Sequence, residues 1–442
     1  MSSTAARLSD SLSVDGIAPG RRISSRRSGV LCSTLGKASV RSLELILEAV
    51  VVEVEAPFCP RARHVVVSTG RALRHEGSNP TVEPAVPCDK VFRPSEFAGF
   101  SVLTTSSFEL GGSSALDPKD SIGVLTSAES MYVSKDNLVV RSARWVSDSA
   151  VDKSKADDSG SFTLVHVFDI KQPGAPRFVA STSVPGDVSD EFATSGLDGH
   201  LRIVSVRQTG PKYDDRAAEL TAFTIRDAAL EREGPPYQLG QSASVSVRFQ
   251  GSTALVASNS TGGIQLLDLS NAESPVTRGT LQTSGSSTYL HPLTGTQWLA
   301  LGQELAPRGQ PAPAKASIFD TSNAAAPAES SHADISDANL DIDYHAFVWW
   351  PDTHSALIPI SVYKPNEPSF AGLLVLDTEP GGVHERGRLN HPRKVSATTG
   401  DTYPAPIHAV AIIGNTIVTV STDRLQTNDL TTLAETGNVD LA

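Results

Sequence analysis

The sequence predicts an all-β protein, a single-ring β-propeller of four-stranded blades, and three observations predict it. Short runs rich in Val, Ile, Thr and Ser, broken by 33 Gly and 28 Pro, are the composition of many short strands joined by turns. Strands that end in an acidic residue and a turn recur at intervals of 41 to 58 residues, the scale of propeller-blade repeats. Two further strands joined by a short turn precede each of these. A small sheet of that kind buries both faces only by stacking on its neighbours around a ring.

The unit is plainest at residues 344–360, where Tyr344 to Trp350 reads as one strand, Pro351-Asp352 as a tight turn, and Ser355 to Ile360 as a second strand. Residues 372–377 give a third strand, and a weaker polar strand follows. The acidic strand ends are Asp169, Asp227, Asp268, Asp320, Asp377 and Asp429, each expected to cap its turn by accepting a hydrogen bond from the backbone two residues on. Tight first turns are expected at Gln250-Gly251 and Gly414-Asn415. Six complete units fill residues 129–442, and the strands between 45 and 128 supply an irregular seventh. Seven blades is the count predicted, with six and eight as its neighbours.

Residues 1–44 differ from the rest. Arg7, Arg21, Arg22, Arg26, Arg27, Lys37 and Arg41 face only Asp10 and Asp15 among many Ser and Gly, without the apolar stretch of a cleavable signal. A disordered or misassigned leader is expected there, and the propeller over 45–442. The net charge of -12 argues against a nucleic-acid partner. No apolar run is long enough for a membrane span. Cys32, Cys59 and Cys88 are too few for a disulfide framework. Free thiols are the favoured expectation, with a Cys59–Cys88 bridge as the alternative in an exported chain.

Several segments resemble a bacterial family of β-propeller domain-containing proteins, secreted or envelope-bound and distantly related to WD-repeat propellers. They are Cys88-Asp89-Lys90-Val91-Phe92-Arg93-Pro94-Ser95-Glu96-Phe97, Glu129-Ser130-Met131-Tyr132-Val133-Ser134, Thr288-Tyr289-Leu290-His291-Pro292, Leu301-Gly302-Gln303-Glu304, Asp343-Tyr344-His345-Ala346-Phe347-Val348-Trp349-Trp350-Pro351 and Asn428-Asp429-Leu430-Thr431-Thr432-Leu433. The resemblance covers roughly residues 60–442. It implies the fold and an extracellular or envelope location, and no particular reaction.

With the strands of a blade lettered a to d from the axis outward, the a–b and c–d turns share one face, and the b–c and d–a links the other. The long insertions, at 146–161, 209–219, 303–315 and 362–370, fall at b–c links, so one loop-rich face is expected to carry the binding groups. His345 and His408 open the first strands of their blades, with Tyr289 and His291 placed at the matching position one blade earlier. Glu304, Asp341 and Asp343 are candidates to join them at the channel mouth, around a small polar ligand or a divalent metal. The plainer reading has each His hydrogen-bonding the backbone of a neighbouring blade or an Asp, fixing the ring. No local spacing supports a metal, no cofactor is identified, and no catalytic residue is assigned. Trp349 and Trp350, adjacent in a strand, point to opposite faces and are expected between blades.

There is no Gly-x-Ser-x-Gly elbow, phosphate loop or Gly-x-Gly-x-x-Gly. The expectation is therefore a non-catalytic propeller of the bacterial cell envelope that binds an unknown protein or small ligand through its loop-rich face. The alternative is a metal-dependent enzyme at the channel mouth.

Overall fold

A computed structural model describes residues 50–441 except 55–62, 69–72, 75–81, 84–85, 100, 110–117, 147–159, 173, 175, 211–214, 259–262, 272, 284, 305–312, 336–345, 363–368, 380–381 and 396–401. The leader expected at 1–44 lies outside the described residues. The chain divides into two compact units, Met1–Arg207 with Leu220–Pro236, and Gln208–Glu219 with Tyr237–Ala442.

Seven sheets of four or five strands carry the fold. The first is irregular, as expected. Its strands Val50–Val54, Arg63–Ser68, Val102–Glu109 and Pro118–Leu125 are antiparallel neighbours, and the short strand Val91–Phe92 joins the last of them in parallel. The second is a meander of Ser130–Val133, Asn137–Val146, Gly160–Asp169 and Arg177–Pro185. The third has Thr194–Leu197, His200–Gln208, Arg216–Arg226 and Ala229–Arg232 in order, with Tyr237–Gln241 also pairing the third of these. The fourth (Val245–Gln250, Thr253–Ser258, Gly263–Asp268, Val276–Gln282) and the fifth (Gly285–Pro292, Gln297–Glu304, Ala314–Asp320, Ala328–Ile335) repeat the meander. So do the sixth (Val348–Trp350, Ser355–Val362, Phe370–Glu379, Gly382–Leu389) and the seventh (Ile407–Ile413, Thr416–Ser421, Arg424–Asp429, Glu435–Asp440).

Alternation along the strands explains the stacking. In the second sheet Val140 and Phe168 pack against Leu103 and Val124 of the first, while Val139 and Val167 pack against Leu201 and Ile203 of the third. Adjacent residues of a strand thus serve opposite faces. Leu255 and Leu266 meet Trp298 and Phe319 between the fourth and fifth sheets; Leu357 and Val375 meet Ile417 and Leu430 between the sixth and seventh. Each fully buried Val, Leu or Phe contributes roughly 1.5–3 kcal/mol. Trp350 joins the latter cluster, whereas Trp349 turns the other way and donates its Nε1 hydrogen to Thr378 Oγ1 at 3.2 Å. The opposite-facing expectation for this pair holds.

The recurring aspartates cap their turns as expected at four positions. Asp169, Asp268, Asp320 and Asp429 each accept from the backbone nitrogen two residues on, at 2.8–3.0 Å. All four carboxyls lie below the usual range. Asp320 is lowered chiefly by Ser322 and Asp429 chiefly by Thr432; in Asp169 burial acts upward, but bonds from Lys171 and Arg177 together outweigh it. Asp268 is at about 2, where Ser270 acts first and Arg278 after it. Asp377 instead takes Arg386. Asp227 is not the repeat position. The residue after each repeat aspartate donates its N–H to the a–b turn of its own sheet, and in the third sheet that donor is Ile225, bonding Gly199, so Thr224 occupies the aspartate's place. Asp227 sits instead in the tight c–d turn.

A β-bulge stands two residues before the aspartate in five sheets, at Val167/Phe168, Leu266/Leu267, Ile318/Phe319, Val375/Leu376 and Thr427/Asn428. The fourth strand holds the extra residue, which sharpens local twist. In the fourth and sixth sheets that residue is Arg278 or Arg386, and it reaches back to the aspartate. In the third sheet the pairing of Phe223–Arg226 with Ala229–Arg232 runs without a bulge, and Thr224 stands in the aspartate's place.

Cys88, in a 3-10 turn, is disulfide-bonded, against the expectation of free thiols. Its partner is one of Cys32 and Cys59, both outside the described residues. No helix among the described residues is long and apolar enough to cross a membrane.

Candidate functional site

Of the seven candidate residues four are described, Tyr289, His291, Glu304 and His408, and Tyr289 and His291 stand apart from the other two. Tyr289 and His291 lie in the second half of the strand Gly285–Pro292, next to its a–b turn, whereas His408 opens the strand Ile407–Ile413. The strand of the fifth sheet begins four residues before Tyr289 because Gly285, Ser286 and Ser287 pair with Glu304, Gln303 and Gly302. Those small polar residues carry no hydrophobic signal, and the strand therefore starts earlier than its apolar residues indicate. His408 is exposed, with Nε2 3.4 Å from Thr422 Oγ1. Asp341, Asp343 and His345 lie outside the described residues.

His291 sits in an aromatic nest. Its Nδ1 is 3.3 Å from Tyr289 Oη, and its ring lies 4.8 Å from Phe347 and 6.0 Å from Trp349. Arg248 lies over the Tyr289 ring at 5.9 Å. Burial, and then the Arg248 charge, push His291 down to about 3, so it is neutral at ordinary pH. Its polar contact is thus within its own strand, while aromatic rings of the next sheet pack against it.

Glu304 is at the far end of the fifth sheet's hairpin from His291, opposite Gly285. It pairs at 3.0 Å with Lys315, which is also 3.0 Å from Glu329. Burial alone would lower the Lys315 pKa, but the hydrogen bonds that its ammonium donates to both carboxylates raise it instead. Glu304 therefore compensates a buried cation. Among the described residues no three His, Cys, Asp or Glu side chains converge as metal ligands.

Two features of the first unit gave no sequence signal. At the b–c end of the second sheet, Trp145 is 74% exposed and Phe97 is 63% exposed. Glu96 anchors Phe97 there, bonding Arg144 next to Trp145 and accepting from Ser183 Oγ at 2.9 Å. The strand Asn137–Val146 ends here at the b–c link, the side on which the sequence predicts the long insertions. On the c–d side a cleft of about 800 Å³ opens along the edge strand Arg177–Pro185. Its floor is the Phe92–Phe178 pair, centroids 4.9 Å apart.

Behind the cleft, His166 is fully buried, its Nδ1 2.7 Å from Ser181 Oγ and Nε2 2.9 Å from Thr126 Oγ1. Thr126 Oγ1 donates to the Ser127 carbonyl at 2.9 Å, and a carbonyl only accepts. His166 Nε2–H therefore donates to Thr126, and Ser181 donates to Nδ1. The pair has the order of a base and a hydroxyl, but burial pulls the imidazole down to about 4, too weak a base to activate serine. His391 is bound by Ser421 and Thr419 in the same manner, each at 2.8 Å, which marks the arrangement as a structural stitch.

Six meandering sheets and an irregular first one, with alternating apolar faces that pack neighbouring sheets within each unit, are the sheets of an all-β propeller. The chain belongs to the β-propeller domain family, whose model matches residues 45–433. An uncharacterised protein of Methanocaldococcus jannaschii is 28% identical over 180 residues, covering 39% of this chain and 27% of that protein. An uncharacterised protein of Archaeoglobus fulgidus is 27% identical over 198 residues, covering 42% and 30%. The matches thus span less than a third of these relatives. Among solved structures, the periplasmic gluconolactonase PpgL of Pseudomonas aeruginosa has a TM-score of 0.43 at 11% identity, covering 78% of this chain and 93% of that one. Citrobacter koseri AztD has a TM-score of 0.40 at 13% identity, covering 86% and 92%.

Proposed function

We propose that this is a non-catalytic binding propeller, exported to the cell envelope or beyond, that holds a protein or small ligand on its loop-rich face. The observation that carries the reading is the exposure of Trp145 and Phe97 at the b–c end of the second sheet. Large aromatics cost solvation free energy at a surface and recur as the anchors of binding interfaces. Here the Glu96–Arg144 pair ties the segment that carries Phe97 to the strand that carries Trp145. The disulfide at Cys88 supports export, since such bonds persist in oxidising compartments. The full chain carrying Trp145→Ala and Phe97→Ala tests the binding role in cells. Loss of a chemically cross-linked complex, with thermal stability kept, supports it; an unchanged complex contradicts it.

A further inference from the structure

The second unit carries a pocket of about 170 Å³ at the b–c end of the fourth sheet, where Thr253–Ser258 ends and Gly263–Asp268 begins. Val256 pairs with Gln265 and Gln265 with Thr280, so these three side chains share one face of that sheet. The strand Tyr237–Gln241 walls the other side of the pocket with Leu239 and Gln241.

None of the residues that line it is charged, in a chain that is 19% Asp, Glu, Lys and Arg. An ion held here would give up its water without meeting a counter-charge, so the lining selects a neutral ligand. A wholly apolar ligand would strip water from the amides of Gln241 and Gln282 and return no hydrogen bond, so the ligand is also polar.

Gln265 is held in a fixed orientation. Its Nε2 donates to the Leu239 carbonyl at 2.6 Å, and its Oε1 accepts from Thr277 Oγ1 at 3.3 Å. A side-chain amide has two N–H donors and two acceptor sites, so one of each remains. That pair matches two neighbouring hydroxyls, since a hydroxyl both gives and takes a hydrogen bond. Gln241 and Gln282 repeat the donor and acceptor at the exposed rim. Leu239, Val245 and Val256, all buried, offer an apolar wall to the C–H face of a ring. The volume is that of roughly five to six waters at about 30 Å³ each, the size of one hexose.

We propose that this pocket binds one neutral sugar ring, either a free hexose or the terminal hexose of a glycan. Amide pairs orient its hydroxyls, and the valine and leucine wall takes its carbon face. The proposal names a small ligand for the b–c side, and it rests on the reading of that side as the binding one.

The test uses the full chain with D-glucose, D-galactose and D-mannose, followed by saturation-transfer NMR and calorimetric titration. At least one hexose is expected to bind saturably, about tenfold or more tighter than its own uronate, which adds a carboxylate to the same ring. Thr280→Phe puts a ring into the mouth from an exposed position and should abolish binding. Gln282→Ala should weaken it about threefold to tenfold, and it decides the matter if Thr280→Phe fails to fold. Methyl glycosides that bind as well as the free sugar identify a glycan end, and methyl glycosides that do not bind identify the free hexose. Trp145→Ala should leave hexose binding unchanged, so loss of the cross-linked complex and loss of sugar binding are separate results. Saturable binding by none of the three hexoses, equal affinity for the uronate, or unchanged binding in folded Thr280→Phe or Gln282→Ala overturns the proposal.

Discussion

Arg386 of the sixth sheet reaches the seventh, Nη1 donating to the Leu430 carbonyl at 2.8 Å. The same guanidinium binds Asp377 and donates to Ser355 Oγ at 2.9 Å, so one side chain joins the strand, its bulge and the next sheet. Arg177 does the equivalent between the second and third sheets, on Asp169 and the Asp227 carbonyl. Arg386→Ala leaves a carboxylate and a carbonyl without this donor and should cost about 2–3 kcal/mol in urea unfolding. Arg386→Lys lacks the planar fork and should recover only part of that. A neutral Arg386→Ala contradicts the stitching role.

Lys315 and its two carboxylates should be as sensitive. The lysine side chain is 7% exposed, and Glu304 and Glu329 flank it at 3.0 Å. Lys315→Met fills the same volume but leaves two facing carboxylates, so a loss of about 3 kcal/mol is expected. Adding Glu304→Gln and Glu329→Gln should restore much of it. A double-mutant cycle that shows no coupling refutes the assignment of Glu304 to this cluster.

Acid should weaken the fold well above the carboxylate range. His166 titrates at about 4 when folded because burial disfavours its charge, against 6.5 for the free side chain. The unfolded chain therefore takes up the proton first. Stability is full above pH 6.5 and falls by about 1.4 kcal/mol per pH unit toward pH 4. His291, at about 3, adds a loss of the same sign. Denaturant midpoints at pH 7.5, 6 and 5 measure the slope, and His166→Gln should flatten it. Equal midpoints contradict the buried neutral state.

The disulfide fixes a thiol count. One of the three cysteines should react in denaturant without reductant, and three after reduction. Three reactive thiols in protein prepared under air would remove the bridge, and with it the support for export.

Legibility followed the range of the signal. Asp169, Asp268, Asp320 and Asp429 could be read because an aspartate that caps its own turn is a local signal. The bulges before them could not, since an extra residue on the fourth strand shows only in pairing. Asp227 misled for the opposite reason: an aspartate in a tight hairpin turn looks the same in sequence as one after a bulge. Tyr289 and His291 were assigned to the wrong end of their strand because Gly285 to Ser287 alternate without apolar residues. Nothing local marks the cleft, whose walls come from residues 90–95, 121–122, 176–181 and 227–230. Insertion length predicts a loop-rich face, but most of its four long links lies outside the described residues, and Trp145 becomes a candidate only through its exposure.

The central claim, that the loop-rich face binds, is tested most directly by site-specific photo-cross-linking. Benzoylphenylalanine replaces Trp145 in one protein and Glu231, exposed on the fourth strand of the third sheet, in another. Irradiation in cells should give a discrete adduct from position 145 and none from 231. Adducts from 231 alone, or from neither position in properly folded protein, would contradict the account.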